Sequence, residues 1–260
     1  MKNYIYYYSG TGNSLQAAKT IAEKMGGALL INMKNNPADY PAIDADCVGF
    51  CFPVYAGSLP SHVKNFIGAL DLNYNAYTFC VSTYGGASCA ELHQANDIIS
   101  AKGGNLTYAA SVKAVANYIG LYNLSTNYKA TEAQSENHIV SVAEEIALRQ
   151  TKKVPRLSFS NKIISFLGNT MQKKFPYKDK KYSVSDDCTS CGLCESLCLA
   201  KNISMQNGKP SFHHSCEQCM ACIQYCPKKA INYAKKTLVR TRYRNSKVSV
   251  EEMKALKIIK

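Results

Sequence analysis

Apolar and polar positions switch between two periods along the first 150 residues. Lys2–Tyr8 is a short β-rich run, Tyr4-Ile5-Tyr6-Tyr7-Tyr8, bounded by Ser9-Gly10. From Asn13 the apolar residues Leu15, Ala18, Ile21, Ala22 and Met25 recur at helical spacing, and Gly26-Gly27 closes the stretch. Asp46–Val54, carrying Val48, Phe50 and Phe52, and Tyr77–Thr83 read as buried strands. The stretches Ser61–Leu70 and Cys89–Lys102 read as the helices that follow them. Leu106–Val112 predicts the last strand and Thr131–Arg149 the last helix. Strands alternating with helices predict an α/β domain over residues 1–150, built on a doubly wound parallel sheet. Such sheets hold ligands in loops at the carboxyl ends of their strands.

The pattern changes after residue 150. Residues 151–181 form a basic connector in which Ile163, Ile164, Phe166, Leu167, Met171 and Phe175 predict an amphipathic helix with a Lys-rich face. Packing between domains and docking at a membrane surface both fit that helix. Residues 236–260 read as a basic tail, with Arg240, Arg242, Arg244 and Lys247 ahead of a short helical end from Val250. The expectation is a solvated tail partly packed on the second domain.

Charge sharpens the division. The first 150 residues hold 9 Lys and Arg against 11 Asp and Glu, whereas residues 151–260 hold 22 against 7. Two domains with different partners are expected. Hydrophobic residues make up 46% of the 260, enough for a sizeable core. No apolar run approaches the roughly 18 residues of a membrane span, and the start of the chain lacks the apolar stretch of a signal peptide. A cytoplasmic location is expected.

Eight of the twelve cysteines fall between Cys188 and Cys226. Cys188, Cys191, Cys194 and Cys198 have the spacing C-x2-C-x2-C-x3-C, and Cys216, Cys219, Cys222 and Cys226 repeat it 28 residues later, followed by Pro227. The period extends beyond the cysteines, since Ile203 aligns with Ile231, and Asn207-Gly208 between the halves signals a type I′ hairpin turn. Three thiolates within seven residues can wrap three corners of an iron–sulfur cubane, but the local loop cannot reach the fourth, which must come from the other half. Cys188, Cys191, Cys194 and Cys226 are therefore assigned to one 4Fe–4S cluster, and Cys216, Cys219, Cys222 and Cys198 to the other. Zinc is the competing reading, but zinc sites usually pair two separated C-x2-C knuckles.

Residues 182–235 thus resemble the bacterial two-cluster ferredoxins, an α+β fold smaller than the first domain. Leu199 departs from that family, which has proline after the fourth cysteine. His213 and His214 read as an exposed turn pair. Cys47, Cys51 and Cys80 lie in strands and read as buried small hydrophobes, whereas Cys89 stands at the start of a helix, where its thiolate would be favoured.

Directly after the first strand comes Ser9-Gly10-Thr11-Gly12-Asn13-Ser14, and a helix follows. Leu15 replaces the last glycine of a dinucleotide fingerprint, and the loop lacks the lysine of a P-loop. It offers hydroxyls and free N–H groups at a helix N-terminus, which suit a terminal phosphate monoester. Here the first domain resembles the flavodoxins, which hold FMN phosphate in a loop of the form Ser/Thr-x-Thr-Gly-Asn-Thr/Ser. The resemblance places two later loops at the flavin ring: Pro53-Val54-Tyr55-Ala56-Gly57-Ser58 and Thr83-Tyr84-Gly85-Gly86-Ala87-Ser88. Tyr55 and Tyr84 would stack on the ring, unless they are ordinary surface tyrosines. Many flavodoxins carry acidic residues beside the flavin, which disfavour its reduced anion. Ser58 follows Gly57 here, so a less negative FMN couple is expected.

Taken whole, the chain resembles flavodoxin–ferredoxin fusion proteins of anaerobes. The resemblance implies electron transfer between FMN and two 4Fe–4S clusters, and the basic half implies an acidic redox protein as partner. The alternative is an FMN-dependent reductase of a small acceptor (a quinone, nitroaromatic or metal chelate) fed by the clusters, with a tyrosine such as Tyr118 as the one evident proton donor. Nucleic-acid binding through the basic half lacks a reader motif. Electron direction and oligomeric state are not legible.

Overall fold

The computed structural model describes residues 1–260. Its elements in chain order are β1 (Asn3–Tyr7), α1 (Asn13–Lys24), β2 (Leu29–Asn32), β3 (Cys47–Pro53), α2 (Ser61–Ala69), β4 (Tyr77–Tyr84), α3 (Glu91–Ala101), β5 (Leu106–Lys113) and α4 (Tyr128–Ala147). There follow α5 (Phe159–Gln172), β6 (Tyr182–Val184), α6 (Leu193–Ser196), β7 (Ile203–Gln206), β8 (Lys209–Phe212), α7 (Ala221–Gln224), β9 (Ile231–Tyr233), α8 (Val250–Lys254) and β10 (Lys257–Ile259).

Five strands lie parallel in the order β2-β1-β3-β4-β5. This is the flavodoxin-like doubly wound order, with a crevice outside the carboxyl ends of β1 and β3. Both faces of the sheet are buried, so its strands are apolar almost throughout. Along β1 the side chains divide by parity. Ile5 and Tyr7 join the core under α1 and α4, with Leu15, Ile21, Ile139 and Val142. Tyr6 joins the core under α2 and α3, with Val63, Phe66, Leu92 and Ile99, as does Tyr8 just beyond the strand. β2, only four residues long, carries no period strong enough to be read from the sequence alone.

The eight-cysteine segment folds as a pair of pseudo-equivalent halves. The 28-residue repeat is written into the backbone. Left-handed residues recur as Ser190 and Gln218 (φ 56° and 54°), Gly192 and Met220 (71° and 62°), and Lys201 and Lys229 (51° and 52°). The single-turn helices α6 and α7 and the strands β7 and β9 keep the same offset. β7 and β8 pair antiparallel, and Asn207 and Gly208 between them both have positive φ, as a type I′ turn requires. β6 pairs antiparallel with β9, bringing the two ends of the segment together.

As expected, the C-terminal tail packs in part on the cysteine-rich half, through Arg242, but its end returns to the sheet of the first domain. β10 adds antiparallel to β2 and becomes the edge of a six-stranded sheet. Its placement rests on local chemistry. Ser249 and Glu252 form a capping box at α8, and Lys19 pairs with Glu252. The arginines ahead of it are tied down as well. Arg240 donates to the Ile119 carbonyl at 2.6 Å, and Arg242 donates to the Ile223 carbonyl at 3.1 Å and to Asn232 Oδ1 at 2.7 Å. The sheet of the first part of the chain is therefore completed by its last residues.

The connector helix also departs from expectation. α5 packs against the first domain, but through Ser165, Gly168 and Gln172, while Phe159, Ile163, Phe166 and Leu167 face outward. No helix of the chain is long and apolar enough to cross a membrane.

Candidate functional site

A cleft of about 430 Å³ lies at the carboxyl ends of β1, β3, β4 and β5. Of the residues expected there, Ser9, Gly10, Thr11, Asn13, Ser14, Pro53, Val54, Tyr55, Ala56, Gly57, Thr83, Tyr84, Gly85 and Gly86 all line it. Gly12 does not. It holds the left-handed N-cap of α1 at φ 99°, and a Cβ there would stand 2.8 Å from that of Asn245. Its role is the turn into the helix, whose first N–H groups have no intrahelical carbonyl.

The loop after β1 is held in shape by its own side chains and by distant ones. Gly12 N donates to Ser9 Oγ at 3.1 Å, Asn117 Nδ2 donates to Thr11 Oγ1 at 2.8 Å, and Ser14 Oγ and Thr83 Oγ1 share a hydrogen bond of 2.8 Å. Asn13 Oδ1 accepts from Tyr243 Oη at 2.7 Å and from Asn245 Nδ2 at 3.0 Å, so the C-terminal segment braces this loop from behind.

The second loop contains two consecutive positive φ angles, Ala56 at 52° and Gly57 at 73°. α5 clamps it: Gln172 Nε2 donates to the Tyr55 carbonyl at 2.7 Å, and the Ser58 and Ser165 hydroxyls bond at 2.7 Å. The third loop is organised by the fully buried Glu91. Its carboxylate accepts from Cys89 N at 2.8 Å and from the hydroxyls of Ser88, Ser82 and Ser111 at 2.5, 2.9 and 3.2 Å. Nothing in the sequence pattern marks Glu91, because it sits where an ordinary first-turn helix acid would. Cys89 precedes α3 instead of starting it, and burial beside Glu91 pushes its thiol up, opposite to an activated thiolate. Burial likewise pushes up the thiols of Cys47, Cys51 and Cys80, which are inert core.

Of the further walls of the cleft, only Tyr118 was anticipated. The loop after β5 contributes Ala114 to Tyr118, which the carboxyl-end rule would have pointed to. Ile164, Met171, Phe175 and Lys178 come from the connector, and Gln218, Cys219, Met220, Tyr233 and Lys236 from the cysteine-rich half. No Asp or Glu lines the cleft, and two lysines do. Tyr118 Oη donates to Gln218 Oε1 at 3.0 Å across the domain boundary, and burial holds its phenol well above the ordinary range. One end with free N–H groups and hydroxyls, a long apolar body and no carboxylate suit a flat ligand carrying a terminal phosphate.

The eight cysteines surround two further cavities. Cys188, Cys191, Cys194 and Cys226 line one. Cys198, Cys216, Cys219 and Cys222 line the other. Each cavity thus draws three cysteines from one repeat and one from its mate. No three His, Cys, Asp or Glu side chains close on a single ion-sized point; each set surrounds a space. Backbone donors recur with the repeat: Asn202 N to Cys198 Sγ at 3.1 Å, and Ala230 N to Cys226 Sγ at 3.2 Å. Gln218 adds donors from its backbone and its side chain to Cys216 Sγ, at 3.3 and 3.2 Å. Leu199, where the ferredoxin pattern has proline, is buried in the same apolar core as Ile31, Met33 and Leu59, so it docks the second domain on the first. His213 and His214 are exposed, but His214 is not idle, since its Nδ1 lies 2.7 Å from Oδ1 of the buried Asp179.

Comparison with known proteins follows the same division. Residues 4–91 match the family model described as a flavodoxin domain. The first part of the chain is flavodoxin-like by this match and by its strand order. Among solved structures, the chain is similar to the flavodoxin of Streptococcus pneumoniae TIGR4, at 17% identity over 57% of this chain and 99% of that one, with a TM-score of 0.42. The FMN-bound flavodoxin of Fusobacterium nucleatum is 14% identical over 58% and 100%, with a TM-score of 0.42. The two-electron-reduced flavodoxin of Megasphaera elsdenii is 16% identical over 56% and 98%, with a TM-score of 0.38. No curated protein matches the chain.

Proposed function

We propose that the protein is an electron carrier that exchanges electrons between FMN in the large cleft and two 4Fe–4S clusters in the cysteine cavities, in anaerobic metabolism. The observation that carries this reading is Cys219. It lines both the large cleft and the cavity formed with Cys198, Cys216 and Cys222. Such a shared wall would bring the second cluster to the flavin within one chain. When bound, FMN would supply a store of one or two electrons and each cluster a single-electron relay.

The residues divide the work. Ser9, Thr11, Ser14 and the first turn of α1 would bind the phosphate, and the 53–57 and 83–86 loops would grip the ring, with Tyr55 and Tyr84 as stacking partners. α5, Phe175 and Tyr233 exclude water from the boundary. Cys188, Cys191, Cys194 and Cys226 would hold the cluster remote from the cleft, since none of these four lines it. The remote cluster would be the port for outside electrons. The surplus of 22 basic over 7 acidic residues in this half would steer an acidic redox protein to it.

An anaerobic reductive titration followed by absorbance and EPR tests the proposal: about four electrons per chain are expected, two on FMN and one per cluster. Cluster signals without flavin would overturn the FMN assignment. The reductase alternative has one specific support, the Tyr118, Lys178 and Lys236 side chains that line the cleft beyond the three expected loops. Saturable turnover of a quinone, nitroaromatic or iron chelate above that of free FMN would favour it over carriage.

A further inference from the structure

A helix on a protein surface normally turns its apolar stripe inward. α5 does the reverse. Its inward face is Ser165, Gly168 and Gln172, and it fits because Gly168 has no side chain: a Cβ there would lie 1.8 Å from the Ala56 carbonyl oxygen. Four hydrogen bonds fix this orientation, from Ser58, Ser61, Gln94 and Gln172. The outward face is Phe159, Ile163, Phe166 and Leu167, spaced i, i+4, i+7 and i+8. Phe159, Phe166 and Leu167 are 79%, 71% and 60% exposed. Nothing in the chain covers them.

The charge around this ridge has one sign. Between Arg149 and Lys178 there are eight Lys and Arg and no Asp or Glu. Lys153, Arg156, Lys162, Lys173 and Lys174 are all exposed and none is ion-paired. The exposed apolar side chains lie on one helix, with Lys162 among them, Lys153 and Arg156 just before it and Lys173 and Lys174 just after it. That arrangement lets the apolar crest enter the acyl boundary while the lysine stems reach back to anionic headgroups.

We infer that the outward face of α5 docks the protein on an anionic lipid surface. Ile164 and Met171 of the same helix line the large cleft, so docking sets the mouth of the cleft beside the membrane. The inference is independent of the cofactor assignment, because it rests on α5 and the basic residues around it.

The test is flotation of the full-length holoprotein with vesicles of phosphatidylglycerol and phosphatidylcholine, against vesicles of phosphatidylcholine only. Binding is expected to the anionic vesicles alone, and F166E/L167E is expected to weaken it about tenfold or more. Both side chains are exposed, so this variant should keep its fold, as circular dichroism would show. A second readout exploits the absence of tryptophan from the chain. The variant Phe166→Trp should shift its emission to the blue on anionic vesicles and not on neutral ones. No binding by the parent protein overturns the inference. So does binding that F166E/L167E leaves intact, which would be generic basic adsorption. A concentration-dependent dimer dissolved by the same substitutions, with no vesicle binding, would assign the ridge to self-association and overturn it as well.

Discussion

Gly10, in the loop after β1, lies against the backbone of Cys219. A Cβ at residue 10 would stand 2.6 Å from the Cys219 carbonyl oxygen and 3.1 Å from its Cβ. The loop suited to phosphate and the loop suited to a cluster therefore share a van der Waals boundary. Gly10 has no positive φ, so its substitution strains only this contact and a looser one of 3.3 Å to Tyr55 Oη. Gly10→Ala is expected to cost about 1–3 kcal/mol through overpacking and to slow electron exchange inside the chain. Thermal unfolding and anaerobic stopped-flow of the same sample check both; an unchanged melting temperature and rate would mean the loops are not in contact.

The crossed cysteine sets make a prediction that an uncrossed arrangement does not. Cys226→Ala should abolish the cluster held by Cys188, Cys191 and Cys194, and Cys198→Ala the one held by Cys216, Cys219 and Cys222. Each variant should lose about four iron atoms per chain. The flavin should remain in electronic contact with a cluster in C226A and lose it in C198A. Iron analysis with EPR reads the outcome, and the reverse pattern would sink the crossed assignment.

Gly168→Ala is expected to be among the most damaging conservative changes in the connector. Its Cβ cannot coexist with the Ala56 carbonyl, so α5 must lift from the 53–58 loop. The expected cost is about 1–3 kcal/mol, with weaker FMN retention as the loop loses its clamp. Denaturant unfolding and flavin content after gel filtration measure the two effects, and full retention of both would contradict the packing.

The C-terminal segment should matter at the cleft as well as at the sheet edge. Asn245 donates to Asn13 Oδ1 at 3.0 Å and to Gln16 Oε1 at 2.6 Å, all buried. Asn245→Ala leaves those acceptors without this donor and is expected to cost about 1–3 kcal/mol. FMN affinity should fall with it, since Asn13 opens the helix that faces the phosphate. Isothermal titration of apoprotein with FMN checks this, and parent-like affinity would remove the tail from the site.

No carboxylate lines the cleft, while Lys178 and Lys236 do. Negative charge developing on a bound flavin would face these two lysines and no carboxylate side chain. The midpoint potential of bound FMN is accordingly expected to be less negative than in flavodoxins with acidic residues around the ring. Spectroelectrochemistry of the holoprotein measures it, and a couple as low as theirs would refute the expectation. Lys178→Glu should move it further negative.

Much of this protein was determined by local sequence. The strand–helix alternation, the loop Ser9–Ser14 and the 28-residue cysteine repeat each depend on contacts within a few residues, so spacing alone exposes them. The Asn207-Gly208 turn is legible for the same reason, because two positive φ angles demand those residue types. Three things were decided only by tertiary structure. The tail became a sixth strand because β2 offered an unpaired edge, which no pattern in residues 257–259 announces. The apolar stripe of α5 faces outward because Gly168 and two polar side chains, Ser165 and Gln172, fit the 53–61 segment more closely than any leucine could. Cys219 became a common wall because the two domains dock through Gly10 and Leu199, residues that fit contacts roughly 140 or more positions away in the chain. Period and spacing record what a residue does for its own helix or loop; they hold no record of the distant backbone against which it must fit.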